Sequence, residues 1–247
     1  MNTISVQQPW GSIICCGLKD VENRTWELKS TPMRLLIHVG ARAQRGQDDN
    51  NMPMFYYRYV KNYQTMGILP SLADVPKSAI IGVATVEKCV TDSESEWAQP
   101  GATHWLLKDA KLFKQPITNV KGKLRIFDYP AISEDNLPEC VDIPQITRDG
   151  THVTMPLAAS KLEELRNTSD KTFYLNITND IDDVFFDGDN MRPIESFTFL
   201  VDGEMVEAKV EGVEVADITD NDGNDYTFSD WEGNIYLLQR VFFTLKF

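Results

Sequence analysis

Residues 17–26 read GLKDVENRTW, a short stretch that lies between a predicted helix and the strand after it. Lys19, Glu22 and Arg24 are among the charged residues between its glycine and its tryptophan. Their signs alternate, so they can neutralise one another or line a pocket that holds a polar ligand by several edges. If residues 21–26 are extended, Glu22 and Arg24 point to the same face, because side chains alternate along a strand.

The residues before this stretch predict a strand followed by a helix. Residues 4–6 (ISV) are mostly β-branched, which favours a strand. Apolar side chains then recur at helical spacing, at Trp10, Ile13, Ile14 and Leu18. Pro9 suits the first turn of a helix, where its missing N–H has no partner to lose. Gly17 is suited to end the helix, because glycine readily adopts a positive φ.

These residues resemble the opening of an ASCH domain, a family of the PUA-like superfamily of small β-barrels. The family signature is G-x-K-x-x-E-x-R, and Gly17, Lys19, Glu22 and Arg24 match it. Further segments resemble the strands of the family, at residues 35–39 (LLIHV), 80–90, 104–113 and 121–127. The resemblance covers roughly the first half of the chain. It implies an N-terminal β-barrel with flanking helices.

Charge divides the chain into two unlike halves. Residues 1–130 carry 16 Lys and Arg against 12 Asp and Glu, a net of +4. Residues 131–247 carry 8 against 25, a net of −17. We therefore predict an α+β protein with an ASCH/PUA-like domain over 1–130 and an acidic, β-rich antiparallel domain over 131–247. The acidic surface either keeps the protein dispersed in water or covers the basic half.

The remaining elements follow from periodicity and turn residues. Further strands are predicted over residues 79–90, 104–107, 124–127, 172–177, 196–201, 206–210, 213–218 and 235–243. Helices are predicted over residues 52–66 and 154–166. The polar residues 91–101 predict a loop, in which Trp97 is either a lid over a ligand or a plug at the end of the barrel.

The composition predicts a cytoplasmic protein without a metal or other cofactor. The chain has no run of about 18 apolar residues, so a membrane span is not expected. The first residues lack the basic and apolar regions of a signal peptide. The four cysteines show no metal-binding spacing, and Cys15 and Cys16 are expected to be small core residues.

The charged motif suits a nucleobase, which has donor edges, acceptor edges and two aromatic faces. Lys19 donates, Glu22 accepts from an exocyclic amine, and Arg24 donates as a planar fork. The resemblance also implies RNA binding, so RNA or a modified nucleoside is the expected partner. The predicted binding residues are Gln8, Trp10, Lys19, Glu22, Arg24, Trp26, His38 and Arg42. In the simpler alternative, Glu22 and Arg24 only pair with each other, His38 is structural, and Arg42 is an ordinary exposed arginine.

An enzymatic alternative uses Lys19 and Glu22 as the catalytic pair. Some proteins that resemble this chain at the motif are amidohydrolases acting on acetylated cytidine, and others are ribonucleases. In the amidohydrolases a threonine nucleophile stands three residues after the lysine, where this chain has Glu22. The hydroxyl of a covalent mechanism is therefore absent there, although Lys19 and Glu22 could together activate a water. A third prediction is a protein partner for the acidic half.

Overall fold

The computed structural model describes residues 1–43, 60–71, 74–178, 194–217, 223, 227–229 and 235–247. The chain forms two compact units. Unit 1 consists of Met1–Gly46 and Ser71–Ile143, and unit 2 consists of Gln47–Pro70 and Pro144–Phe247. The predicted division into domains 1–130 and 131–247 stays a prediction, and compact unit 1 extends to Ile143.

Unit 1 is built on a seven-stranded sheet. Its strands are β1 (Asn2–Gln8), β2 (Val21–Arg24), β3 (Met33–Ala43), β4 (Ala79–Val90), β5 (Thr103–Ile117), β6 (Ile126–Asp128) and β7 (Cys140–Val141). The order is β2-β5-β4-β3-β1-β6, with β7 paired to β5. β1 and β3 run parallel, and the other pairs run antiparallel. The strands predicted over 4–6, 35–39 and 79–90 are therefore confirmed.

The sheet of unit 1 is not closed into a barrel, which corrects the predicted PUA-like β-barrel. β2 and β6 end the hydrogen-bonded path, and no pairing joins them among the described residues. These end strands have only four and three residues, so they offer few backbone groups for a closing ladder. The β4–β5 ladder contains three register shifts, and such irregularities bend strands. The chain is mostly β with few helices among the described residues, which is coarser than the predicted α+β arrangement and consistent with a PUA-like β domain.

The predicted first helix is α1 (Trp10–Cys15). Pro9 immediately precedes it, and Gly17 ends the following turn with a φ of +73°. The helix packs closely on β4, where a Cβ added to Gly82 would lie 2.6 Å from Cys15 Sγ. The inner face of α1 is buried in the core of unit 1, and each isoleucine buried there contributes about 1.5–3 kcal/mol.

Two predicted strands of unit 1 have different limits in the structure. The strand predicted over 104–107 is part of the longer β5. The strand predicted over 124–127 begins only at Ile126, because Arg125 has a φ of +58°, which a regular strand does not accommodate. Residues 121–125 are therefore a loop. A short 3₁₀ turn, Glu134–Asn136, follows β6.

Unit 2 is built on a second seven-stranded sheet. Its strands are β8 (Thr147–Asp149), β9 (His152–Pro156), β10 (Thr172–Thr178), β11 (Ser196–Val201), β12 (Glu204–Asp217), β13 (Thr227–Ser229) and β14 (Ile235–Lys246). The order is β10-β14-β12-β11-β9-β8, with β13 paired to β14. β9 and β11 run parallel, so the sheet is mixed and not purely antiparallel. The strands predicted over 206–210 and 213–218 form one strand, β12, with a register shift between Val210 and Gly212.

The helices of unit 2 are α2 (Asn62–Thr65) and α3 (Ala159–Asn167). The helix predicted over 154–166 begins later because residues up to Pro156 belong to β9. Of the helix predicted over 52–66, residues 52–59 lie outside the described residues. The core of unit 2 gathers apolar residues from its strands and from α3. An acidic domain formed by the second half alone stays a prediction.

Candidate functional site

Strand β2 carries two of the three predicted charges on one face. It pairs antiparallel with β5, and Glu22 lies opposite Trp105. Residues two apart in a strand share a face, so Glu22 and Arg24 project together, as the sequence predicts. Lys19 reaches the same place from the turn after Gly17, whose positive φ redirects the chain from α1 toward β2.

Lys19, Glu22 and Arg24 converge, and we call them the charge cluster. Glu22 Oε2 lies 3.1 Å from Lys19 Nζ, and Glu22 Oε1 lies 2.9 Å from Arg24 Nη2. Lys19 Nζ also donates to the carbonyl oxygen of Val21. Arg24 Nη2 donates to the carbonyl oxygen of Ser5 at 2.9 Å. The pairing of Glu22 with Arg24 is thus present, together with a second pairing to Lys19.

The charge cluster is largely withdrawn from solvent. The side chains of Lys19, Glu22 and Arg24 are 6%, 14% and 23% exposed. Ions removed from water are costly unless they are paired and hydrogen-bonded, so the single carboxylate is essential to the two cations. Two cations and one anion leave a net charge of +1. This excess favours a ligand that brings acceptor atoms or negative charge.

One donor of the charge cluster is unused. Arg24 Nε is buried and has no hydrogen-bond partner among the described residues. A buried donor without a partner costs about 1–3 kcal/mol, and an acceptor atom from a ligand or a water would remove that cost. Arg24 is also the most exposed of the three side chains, although its Nε atom is buried.

Two tryptophans lie against the lysine end of the charge cluster. The Trp97 ring, only 5% exposed, has its centroid 5.8 Å from Lys19 Nζ. Trp10 meets Trp97 edge to face, with centroids 6.3 Å apart. A cation close to an indole ring is stabilised by the electrons of the ring. The structure places the Trp97 ring beside Lys19. Its role as a lid over a ligand or as a plug stays a prediction.

The loop that carries Trp97 is held against β2 and the turn before it. Asn23 Nδ2 donates to the carbonyl oxygen of Trp97 at 2.7 Å, and Asn23 Oδ1 accepts from the backbone N–H of Gln99 at 3.0 Å. The Ser95 hydroxyl donates to Asp20 Oδ1 at 2.6 Å. Two residues of the motif, Asp20 and Asn23, therefore hold the loop that covers the charge cluster.

A second pair of tryptophans lies beside Arg24. The rings of Trp26 and Trp105 are perpendicular, with centroids 4.7 Å apart. The Arg24 guanidinium lies 5.8 Å from the centroid of Trp105, and the Arg125 guanidinium lies 5.5 Å from the centroid of Trp26. Trp105 is fully buried, whereas Trp26 is half-buried. Trp26, one of the predicted binding residues, is thus the member of this pair that solvent can reach.

Gln8 lies in the interior and not at a surface that a ligand can touch. Its Oε1 accepts from the backbone N–H and the hydroxyl of Ser12, at 3.2 and 2.9 Å. Its Nε2 donates to the carbonyl oxygen of Pro76 at 3.1 Å. The side chain therefore anchors the start of α1. Arg42, near the end of β3, is exposed.

His38 is also buried, with both ring nitrogens engaged. Its Nε2 donates to the carbonyl oxygen of Val120 at 2.9 Å, and its Nδ1 lies 3.1 Å from the Ser5 hydroxyl. The ring is 1% exposed. This placement matches the structural role that the sequence left open, and direct contact with a ligand is not expected.

The cysteines of α1 behave as core residues, as predicted. Cys15 and Cys16 are buried, and burial raises the pKa of the Cys16 thiol to about 12. Burial raises the pKa of Cys15 as well, and the neighbouring Cys16 adds to that effect. Neither thiol is a nucleophile near neutral pH, because the reactive form is the thiolate.

Sequence reasoning did not select Asn23, Trp105 or Arg125. Asn23 stands between the glutamate and the arginine of the motif, and its position alone could have suggested a structural role. Trp105 lies in a strand that was predicted, but its contact with Trp26 joins residues 79 apart in the chain. Arg125 was placed in a predicted strand, which hid its position in a loop.

Unit 1 is a mostly β domain with a buried charge cluster at an end strand of its sheet. The ASCH domain family matches residues 4–138, more than half of the chain, so the chain belongs to the ASCH domain family. No curated protein matches it. Within the described part of the chain, no group of His, Cys, Asp and Glu side chains is arranged to hold a metal ion. No helix there is long and apolar enough to cross a membrane.

Proposed function

We propose that this protein binds RNA or a nucleotide and holds an ordinary or modified nucleobase beside the charge cluster. The observation that carries the proposal is the unused Nε donor of Arg24 in a cluster that already has a cationic excess. Base carbonyls and ring nitrogens are acceptors of the kind this donor lacks. Membership of the ASCH family, related to PUA domains that bind RNA, supports the same conclusion.

The chemistry of the charge cluster favours a base over a simple anion. Each oxygen of Glu22 is already paired with one cation, and each keeps a lone pair that can accept from an exocyclic amine. Half-buried Trp10 offers an aromatic surface for stacking. A base offers donor, acceptor and π surfaces together, whereas phosphate offers acceptors alone.

A fluorescence titration of the full chain with short single-stranded RNA tests the proposal. We expect Arg24→Ala to weaken binding about 10- to 100-fold, the effect of losing a hydrogen bond to a charged group. Arg24→Lys should fail to restore it, because lysine lacks the planar fork. Arg34→Ala is the matched control, since Arg34 is 24% exposed and also contacts a glutamate, Glu134. Equal losses for the Arg24 and Arg34 variants would contradict the proposal.

A hydrolytic function is a second candidate, favoured by the 3.1 Å contact between Lys19 Nζ and Glu22 Oε2. In this role Glu22 takes a proton from water and Lys19 stabilises the developing negative charge. Chromatography of acetylated cytidine and of RNA after incubation would reveal the products. Turnover that survives both Glu22→Gln and Glu22→Asp would exclude this pair as the catalyst.

We also propose a cytoplasmic location, which four cysteines that form no disulfide bond favour. A protein partner for the acidic second half remains a prediction. A pull-down with the full chain, compared with a chain in which exposed glutamates of β12 are neutralised, would test it.

A further inference from the structure

Residues 121–125 (KGKLR) form an exposed cationic segment of unit 1, which we call the basic loop. Lys121, Lys123 and Arg125 are all exposed, and none forms an ion pair with a carboxylate among the described residues. Leu124, at 95% exposure, is the most exposed large apolar side chain described. Three uncompensated cations within five residues form a strong local positive field.

The backbone of the basic loop is fixed although its side chains face solvent. The Val120 N–H donates to the carbonyl oxygen of Ser78 at 2.8 Å, and the Val120 carbonyl accepts from His38 Nε2. The Ser5 hydroxyl lies 3.2 Å from the carbonyl oxygen of Lys123. Gly122 packs against His38 so closely that an added Cβ would lie 2.5 Å from the imidazole Cε1. The backbone of the loop is therefore held in place by contacts with the rest of unit 1, while its cationic side chains face solvent.

Ser5 places the basic loop next to the charge cluster. The carbonyl oxygen of Ser5 accepts from Arg24, while its hydroxyl contacts the backbone of Lys123. The tryptophan pair makes a second connection, because Trp26 lies beneath Arg125 and its partner ring lies beside Arg24. A ligand with a base at Arg24 would therefore extend its next groups toward cations of the loop.

We propose that the basic loop binds the phosphodiester backbone of single-stranded RNA next to the base held at Arg24. This inference rests on the proposed function and specifies its ligand as a polymer and not a free nucleoside. Phosphates supply the negative charge that the three cations lack, and Trp26 gives a flanking base a surface to stack on. His38 then acts as a positioning residue, because it holds the loop and does not touch the ligand.

The test compares two triple variants of the full chain. One is Lys121→Gln, Lys123→Gln and Arg125→Gln. The matched control is Lys108→Gln, Lys111→Gln and Lys114→Gln, which changes the net charge equally but acts on cations that are already paired with carboxylates. The probes are a mixed-sequence RNA of about eight nucleotides, the four ribonucleosides, and vesicles containing phosphatidylserine. Melting temperatures check that both variants are folded.

We expect the basic-loop variant to bind RNA about 100-fold more weakly at about 50 mM salt and to bind ribonucleosides unchanged. Each phosphate contact on a single strand contributes about 0.7 to the slope of log affinity against log salt, so three contacts contribute about 2. The ratio of the RNA affinity of the native chain to that of the basic-loop variant should then fall about 20-fold between about 50 and about 200 mM salt. The control variant should keep the native slope.

Each contrary result has a separate meaning. An unchanged salt slope in the basic-loop variant overturns the inference, and so does an equal drop in the control variant. Loop-dependent binding to vesicles without binding to RNA overturns it as well. If Arg24→Ala lowers affinity while the loop variant does not, the proposed function stands and the loop assignment fails. If the loop variant lowers affinity while Arg24→Ala does not, the loop assignment stands and the base site fails.

Discussion

The charge cluster and the lysines of β5 use the same ion-pair chemistry at different depths. Lys108, Lys111 and Lys114 pair with Glu87, Asp142 and Glu139 at 2.7, 3.4 and 2.9 Å. We call these three pairs the surface lysine row. The three surface pairs are accessible to water, which screens them. The charge cluster lies beside Trp97 and is largely withdrawn from solvent.

The two regions also differ in the number of carboxylates for each cation. The surface lysine row has one carboxylate for each lysine, so it is locally neutral. The charge cluster has one carboxylate for two cations, and the basic loop has none in the described residues. The +4 of the first half is therefore a poor guide to a binding site. Uncompensated charge, and not total charge, marks where an anionic polymer would bind.

Glu22→Gln should produce the largest contrast between the two regions. It keeps the volume of the side chain but leaves two buried cations without a counter-charge, at a cost of about 3–5 kcal/mol in the free energy of unfolding. Glu139→Gln, in the surface lysine row, should change that free energy by no more than about 0.5 kcal/mol. Denaturant unfolding followed by tryptophan fluorescence measures both, since four of the five tryptophans lie in unit 1. Similar losses in both variants would mean that the charge cluster is as hydrated as the row.

Asn23→Ala should have an intermediate effect by loosening the cover of the charge cluster. The change removes the hydrogen bonds to the backbone of Trp97 and Gln99, and we expect a loss of about 1–3 kcal/mol. Hydrogen exchange at the Gln99 amide should accelerate. Asn136→Ala is the control, because Asn136 Oδ1 also accepts from a backbone N–H but in an exposed turn. Unchanged exchange at Gln99 in the Asn23 variant would show that the loop is held by other contacts.

The smallest effect is expected from Glu87 of the surface lysine row. A hydrogen bond from Lys108, together with its positive charge, lowers the pKa of Glu87, and the same pair raises the pKa of Lys108. A lowered acid pKa stabilises the fold above the unfolded pKa of the acid, and this contribution disappears as the pH falls through the folded pKa. The raised pKa of Lys108 stabilises below the unfolded pKa of lysine and is lost in strong alkali.

Melting curves of the native chain and of Glu87→Gln detect this contribution. Between about pH 7 and about pH 3, the native chain should lose slightly more stability than the variant. Added salt should shrink the difference, because the groups are exposed. A difference that persists in high salt would place Glu87 in a less hydrated setting than the geometry indicates.

Local patterns predicted the elements that carry the site. Alternation placed Glu22 and Arg24 on one face, and the positive φ of Gly17 ended the helix as expected. The run of apolar and β-branched residues predicted a strand from Ala79 to Val90, and β4 has these limits. These predictions succeed because strand and helix periods are properties of neighbouring residues. The limits of β6 were wrong because a left-handed residue, Arg125, cannot be read from side-chain pattern alone.

The placement of the individual site residues was harder to predict. Gln8 and His38 are polar, yet both are buried and hydrogen-bonded to groups far along the chain, Pro76 and Val120. Nothing in their neighbours distinguishes a buried polar side chain with partners from one that awaits a ligand. The closed barrel was also wrong, because closure depends on whether the end strands β2 and β6 meet.

The sequence by itself determined the strand that carries the motif and the turn that precedes it, since these depend on residue order and composition. Only the tertiary structure decided that Trp97 lies beside Lys19, that Arg24 Nε lacks a partner among the described residues, and that the basic loop adjoins the charge cluster. The reason is physical. Burial and hydrogen-bond satisfaction are set by groups that are distant in the chain and become neighbours only when the sheet has formed.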